Sequence, residues 1–466
     1  MRKLTSTQLT WTTVLFLAVL VAGAAPAPAQ EPETPPAPAY VPGEVLVGLD
    51  NGREKVVQLP ADESVPAAAA DLRDRTGVSY AIPNYIAHTA GVPDDPGLFA
   101  NPGDWRRTQW NFLPCGSLCN PAAPVEAFQA RGGINAPAAW ATLKQRKAAG
   151  GSGVKVAVLD TGVAFANLKP TFKKSPDFAR DQFVRGRDFV DGGKNGKKPN
   201  KFHALPLDRD GHGTHVTGTI AERTGNGFGL TGLVPKATII PVRVLDAQGF
   251  GTARDISAGI RYAAKAGADA INMSFEFAAG VDSCSKIKSV CNALKVARKH
   301  NVVVAAAAGN SVGAPVAFPA GAPHVIGVGR STKDGCLAND SRTGGGLDLL
   351  APGGGRPINP ACGADDPLFK RGDPIFQLTF DGPGFRSFGY PRDYEGTSMA
   401  TAHVTGVAAM VIASRVLGKH PTEQDVECQL ETTARKTNLG EAYDPVTFGA
   451  GVLDAAAAVS ARAPGC

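Results

Sequence analysis

Ser398 stands in the segment Gly396-Thr397-Ser398-Met399-Ala400-Thr401-Ala402-His403, where a Gly-Thr turn opens an apolar helix that runs to about Gly418. A helix start presents unpaired backbone N–H groups and a partial positive charge, both suited to a developing oxyanion. A hydroxyl alone is a weak nucleophile and needs a base, which in turn needs an orienting carboxylate. His212 is the candidate base, in Asp210-Gly211-His212-Gly213-Thr214-His215, with glycines on either side that permit close backbone approach. Asp160 is the candidate carboxylate, closing the apolar run Val156-Ala157-Val158-Leu159 before Thr161-Gly162-Val163. Each residue also has an ordinary structural reading. Asp160 caps a turn, His212 is structural or pairs with His215 as an i,i+3 metal site, and Ser398 caps its helix. Jointly they hold the parts of nucleophilic acyl chemistry.

The elements that must position them follow from hydrophobic periodicity. Val154 to Leu159 is a near-continuous apolar strand, and Ala237 to Leu245, Ala268 to Ser274, Val302 to Ala308 and Val325 to Gly329 repeat its character. Helical patterns lie between them, such as Thr252 to Ala266 and Cys284 to Lys299. Short buried strands spaced by helices predict an α/β fold, a parallel sheet with helices on both faces. Functional groups then gather at the carboxyl ends of the strands.

In that chain order and inside those segments, Asp160, His212 and Ser398 resemble the subtilisin-like serine proteases, the subtilase family. The resemblance runs from about residue 93 to the C-terminus. It includes Ile271-Asn272-Met273-Ser274, Ala308-Gly309-Asn310 and the closing Phe448-Gly449-Ala450-Gly451-Val452-Leu453-Asp454. It implies a subtilisin-like three-layer α/β/α catalytic domain over 92–466, and an endopeptidase acting on protein or peptide substrates through an acyl-enzyme. Ser398 would attack, His212 would carry the proton, and Asp160 would hold His212. The Asn310 side-chain amide and the Ser398 backbone N–H would hold the oxyanion.

By the same resemblance, Gly249-Phe250-Gly251 and Ser274-Phe275-Glu276 wall a cleft that takes substrate as an added extended strand. Glu276 departs from the family, where a glycine commonly follows at that wall. Its carboxylate either favours basic side chains in the main pocket or points to solvent. Ala402 replaces the proline usual in the Ser398 helix, which removes no chemistry. Ala164-Phe165-Ala166-Asn167-Leu168 lacks the acidic residue that often joins the family's calcium site. The loop Thr224-Gly225-Asn226-Gly227-Phe228-Gly229 keeps Asn226 as an oxygen ligand. Structural calcium is therefore compatible with the chain, while catalysis calls for no cofactor.

The front of the chain reads as a precursor. Arg2 and Lys3, the apolar run from Val14 to Ala25, and Ala27-Pro28-Ala29 form an export signal over residues 1–29. That run is shorter than the roughly 20 residues needed to span a bilayer, so no stable membrane anchor is expected. Residues 30–39 are a Pro/Ala-rich linker, and 40–91 a small α+β unit. In it Glu44 to Leu49 alternates like a strand, Val65 to Arg75 reads as a helix, and Val78 to His88 returns as strands. The unit resembles the inhibitory pro-region of such proteases (inhibitor I9-like), notably over Val78 to Thr89. It would serve as intramolecular chaperone and inhibitor, its tail at Thr89 to Gly91 filling the cleft until self-cleavage. Val92-Pro93-Asp94-Asp95-Pro96 reads as a breaker-rich joint.

Export makes the 8 cysteines legible as disulfides, most simply in the local pairs 115–119, 284–291, 336–362 and 428–466. Abundant Gly (55) and Pro (36) with ordinary hydrophobic content suit a turn-rich folded protein. A net charge of +6 without a basic stripe argues against nucleic acid as a partner. The cluster Lys194, Lys197, Lys198 and Lys201 reads as a solvated face. The expectation is a secreted, monomeric, self-processing serine endopeptidase. A catalytically silent binding protein on the same fold would have no need of all four site residues. A secreted esterase would share the chemistry, but the chain lacks a Gly-x-Ser-x-Gly elbow.

Overall fold

The computed structural model describes residues 40–85, 93–190, 205–359, 362, 372–436 and 443–466, apart from positions 52, 100, 121, 124, 126 and 279. The expected export signal, the 30–39 linker, the Thr89 to Gly91 tail and the lysine cluster lie outside these residues.

Strands β1 (Tyr40–Leu49), β2 (Glu54–Gln58) and β3 (Val78–Tyr85) form an antiparallel sheet ordered β2-β1-β3, with helix α1 (Val65–Arg73) between β2 and β3 in sequence. Period-two alternation turns Val45 and Val47 to one face. There they bury with Val65, Ala68 and Ala69 of α1 and Ala81 of β3. The side chains are small and the core is thin.

The larger sheet comprises β4 (Lys155–Asp160), β5 (Arg187–Asp188), β6 (Thr238–Arg243), β7 (Ala270–Met273), β8 (Val303–Ala307), β9 (Ile326–Ser331) and β10 (Leu349–Pro352). All seven are parallel, in the order β10-β9-β8-β7-β4-β6-β5. Alternation along β4 divides the core. Val156 and Val158 pack with α2 (Trp105–Thr108), α3 (Ala136–Gln145), α4 (His212–Ala221), α7 (Thr397–Ser414), α8 (Glu423–Thr432) and α10 (Ala455–Ser460). Ala157 and Leu159 pack on the other face with α5 (Ala253–Lys265) and α6 (Lys288–Lys299). Also present are a short α9 (Pro445–Phe448), a two-stranded ribbon of β11 (Thr379–Phe380) with β12 (Phe388–Gly389), and three short 3-10 helices at Trp110–Phe112, Gly116–Leu118 and Ala149–Gly151.

Helix α7 is the centre of the first core. Among the described residues it is the one helix long and apolar enough to cross a membrane, yet it is largely buried inside the protein. It ends at Ser414 rather than near Gly418, where Arg415 takes the left-handed conformation at φ 56°. Helix α6 likewise starts at Lys288, later than the expected Cys284, and the Cys284–Cys291 disulfide ties the preceding loop to it. The other three cysteine pairs, 115–119, 336–362 and 428–466, also form as local bridges.

Candidate active site

Parallel pairing brings the strand exits into one row. From the order of the sheet, the loops after β8, β7, β4 and β6 stand side by side at its carboxyl edge. They carry Asn310, Ser274 to Glu276, Asp160, and Gly249 to Gly251 respectively. Asp160 ends β4 and is wholly buried. Its Oδ1 accepts a hydrogen bond from the Thr161 N–H at 2.7 Å and lies 2.8 Å from His212 Nδ1.

His212 is the first residue of α4. That helix start can press against the β4 exit only because residue 213 is glycine. A Cβ there would lie 2.1 Å from the Gly162 carbonyl oxygen and 3.1 Å from the Asp160 Cβ. Asp208, unnoticed in the sequence, fixes the approach. Its carboxylate accepts from the Thr161 hydroxyl (2.8 Å), the N–H groups of Asp210 (3.0 Å), Gly211 (3.1 Å) and Thr214 (2.8 Å), and the Thr214 hydroxyl (2.6 Å). Thr161 Oγ1 in turn accepts from the Gly213 N–H at 3.0 Å. This buried knot sets the distance between Asp160 and His212. The available sequence signal was an acidic residue just before a helix start.

Burial works to lower the pKa of His212. The Asp160 carboxylate outweighs it, by charge and by hydrogen bond, and with Asp210 and Asp208 raises it to about 9. His215 has the opposite fate. Its Nε2 donates to the Ile375 carbonyl at 2.9 Å, its ring stacks on Tyr394 at 4.0 Å, and burial lowers its pKa to about 3. The His212–His215 metal pair is therefore not formed; His215 is a neutral brace.

Ser398 is the second residue of α7, partly exposed at the cleft. Its hydroxyl donates to the Ser274 carbonyl at 3.1 Å and not to His212. That arrangement suits an imidazolium, which has no lone pair to accept from the hydroxyl. Ser274 is itself pinned: its Oγ donates to the Ser398 carbonyl (2.8 Å) and accepts from Asn272 Nδ2 (2.9 Å). Asn310 follows β8 and reaches across to the same turn. Its Oδ1 accepts from the Thr397 N–H at 2.9 Å and the Thr397 hydroxyl at 3.2 Å. Its Nδ2 has no partner among the described residues. Met399 N–H and Ala400 N–H both turn to the Gly396 carbonyl, and the Ser398 N–H is next in the chain to the Thr397 N–H that donates to Asn310.

The expected cleft walls are only partly as anticipated. Phe250 is 74% exposed on a tight turn closed by Asp246, between Gly249 and Gly251. Phe275, by contrast, is buried in the second core and offers the cleft only its backbone. Glu276 neither points freely to solvent nor stands ready for a basic group. Its Oε2 lies 2.7 Å from an Arg342 guanidinium nitrogen.

A second polar cluster surrounds the Asn226 loop. Asp95 Oδ2 and Oδ1 accept from the N–H groups of Gly225 (2.9 Å) and Asn226 (3.1 Å). Asp177 accepts from Asn226 Nδ2 (3.0 Å) and the Leu230 N–H (3.2 Å). Burial raises the pKa of Asp95 to about 7 and that of Asp177 well above the usual carboxylate range. Neither forms an ion pair among the described residues. Asp94 Oδ1 and Asn226 Oδ1 are buried without partners. Two wholly buried carboxylates and two orphaned oxygens fit a hard divalent cation. Residues 164–168 bring no acid to this cluster; its carboxylates are Asp177 and Asp95, the latter from the segment read as a mere joint.

The chain is similar to proteins of one known family. The profile of Peptidase S8, the Subtilase family, matches residues 151–451. The chain is 33% identical over 318 residues to Alkaline elastase YaB of Bacillus sp. (strain YaB), covering 68% of each. It is 32% identical over 308 residues to Subtilisin Savinase of Lederbergia lenta, covering 66% of this chain and 91% of that one. With Thermophilic serine proteinase of Bacillus sp. (strain AK1) it shares 29% identity over 421 residues, 85% of this chain and 83% of that one. A solved structure described as proteases from Pseudoalteromonas arctica PAMC 21717 superposes with a TM-score of 0.59 at 29% identity, covering 79% of this chain and 99% of that one.

Proposed function

The chain belongs to the subtilase family, with its three-layer α/β/α fold, and is a subtilisin-like serine endopeptidase; from that premise we propose how its own residues carry the reaction. Ser398 Oγ swings from the Ser274 carbonyl toward His212 Nε2, gives up its proton there, and bonds to the scissile carbonyl carbon. The carbonyl oxygen, now an anion, takes hydrogen bonds from Asn310 Nδ2 and the Ser398 N–H. His212 returns the proton to the amine nitrogen as the C–N bond breaks, leaving Ser398 acylated. Water repeats the sequence, giving its proton to His212 while its oxygen bonds to the acyl carbon; the Ser398 ester bond then breaks as His212 returns that proton to Ser398 Oγ. Asp160 keeps the proton of His212 on Nδ1 and stabilises the imidazolium in both halves. The observation that most directly supports these roles is the 2.8 Å bond between the wholly buried Asp160 and His212.

The pH dependence tests it. Attack requires neutral His212, whose pKa is raised to about 9. The acid limb of kcat/KM is therefore expected above the 6.5 of a free imidazole, toward 9. The same shift makes a favourable contribution to folding that is fully present below about pH 6.5 and is lost as pH rises through the folded pKa. Activity thus rises in the window where this stabilisation fades. A rate profile flat from about pH 5 to 9 would remove His212 as the base.

The front of the chain supports manufacture as a secreted precursor. The β1–β3 sheet with α1 has the α+β make-up of an inhibitory pro-region, and its thin core gives it reason to lean on a partner. Templating would speed a parallel sheet whose pairing is non-local and slow. Four disulfides suit an oxidising compartment.

The Asp95, Asp177 and Asn226 cluster is assigned to a structural calcium ion, which would neutralise the buried carboxylates and brace the loop after α4. At about a hundredfold saturation such binding contributes roughly 3 kcal/mol. Chelation is expected to lower the thermal midpoint by roughly 5 °C or more. Asp177→Asn is expected to lose most of that response. A midpoint indifferent to chelator would leave the loop braced by hydrogen bonds alone.

A further inference from the structure

We propose that Glu276 and Arg342 are a specificity-determining pair at the primary pocket, each cancelling the selectivity the other alone would impose: Glu276 for basic and Arg342 for acidic side chains before the cleaved bond. This rests on the endopeptidase reading above and adds two specificity-determining residues to the same site.

The location follows from the two groups that meet the scissile carbonyl. Ser398 Oγ must touch its carbon and Asn310 Nδ2 its oxygen. The side chain on the acyl side then descends between the segments carrying Ser274 and Asn310. Glu276 lies two residues beyond Ser274, whose carbonyl holds the Ser398 hydroxyl. Arg342 runs beside Asn310 on the other segment: its N–H donates to the Gly309 carbonyl at 3.1 Å, and Asn310 bridges to Ser341. The two charged groups meet over Gly309. A Cβ on Gly309 would lie 2.5 Å from Glu276 Oε2, 2.6 Å from Arg342 Nε and 2.7 Å from Arg342 Cδ. Glycine at 309 is what leaves room for the pair.

Arg342 is held from behind as well. Its guanidinium donates to Ser311 Oγ at 3.3 Å and to the Pro315 carbonyl at 3.4 Å. Only 11% of its side chain is exposed, against 31% for Glu276. The arginine is the fixed member and the glutamate is drawn to it. A lysine or arginine entering from the substrate finds the carboxylate occupied and a fixed guanidinium beside it. An aspartate or glutamate meets the mirror problem. An uncharged side chain disturbs neither partner, while removing one partner leaves the other charge uncompensated and open to a substrate of opposite sign.

The test compares peptides that differ only at the residue before the cleaved bond: alanine, leucine, lysine or aspartate. The wild-type enzyme is expected to cleave after alanine or leucine about tenfold or more better than after either charged residue. Arg342→Met is expected to raise the lysine-to-alanine ratio of kcat/KM about tenfold, and Glu276→Gln the aspartate-to-alanine ratio similarly. Thermal midpoints and circular dichroism spectra like those of the wild type show that each variant is folded. Wild-type preference for lysine, or ratios unchanged in both variants, overturns the pair's role and leaves the endopeptidase standing. Failure of the wild type to cleave any peptide overturns both.

Discussion

Ser398→Ala is expected to lower kcat by roughly a million-fold, the scale on which subtilisin, a relative in this family, responds to loss of its nucleophile. The neighbouring hydroxyl of Ser274 is no substitute, being buried and committed to the Ser398 carbonyl and to Asn272. Fold should survive the change, because Ser398 Oγ makes one hydrogen bond, to the Ser274 carbonyl at 3.1 Å. Its loss costs about 1 kcal/mol. The variant precursor should also stay at full length while the wild type shortens on its own. Processing of the purified alanine variant at the wild-type rate would mean that another protease matures the chain.

Asn310→Ala is expected to lower kcat by roughly a hundred- to a thousand-fold with little change in KM. The asymmetry of the Asn310 amide is the reason. Oδ1 is clamped by the Thr397 N–H and hydroxyl, which fixes Nδ2 toward the Ser398 turn. A donor held there in advance stabilises charge that exists only in the transition state, so its loss appears in kcat. The clamp itself predicts a side effect: Thr397 N–H loses its acceptor, at about 1–3 kcal/mol of stability. Thermal midpoints measured beside the kinetics separate the two effects. A proportionate rise in KM at constant kcat would make Asn310 a ground-state contact and no part of an oxyanion site.

Much of this site is legible in the chain because local rules mark it. Asp160 ends an apolar strand, His212 sits between glycines at a helix start, and Ser398 opens a long apolar helix, so type, spacing and order suffice. What sequence reasoning misses are partnerships across long separations. Asp208 looks like one more loop acid until Thr161 and Thr214 close on it. Asp95 reads as part of a joint, yet it bonds to Asn226 far along the chain. Arg342 carries no signal of its own, and its meeting with Glu276 depends on the loops after β7 and β9 converging over Gly309. Phe275 looks like a cleft wall because it lies between two wall residues, but alternation at the strand exit turns its ring into the core. The unforeseen strands β2, β5 and β10 are short or charged, and β10 ends in proline, which an edge strand tolerates.

The central claim is that Ser398, activated by His212 and Asp160, is the nucleophile of a peptidase. Fluorophosphonate labelling followed by peptide mapping tests it most directly. The account predicts one adduct, on Ser398, forming in step with loss of peptide hydrolysis and slowing sharply in His212→Ala. Hydrolysis that persists after complete labelling of Ser398, or inactivation with the adduct on another residue, would contradict it.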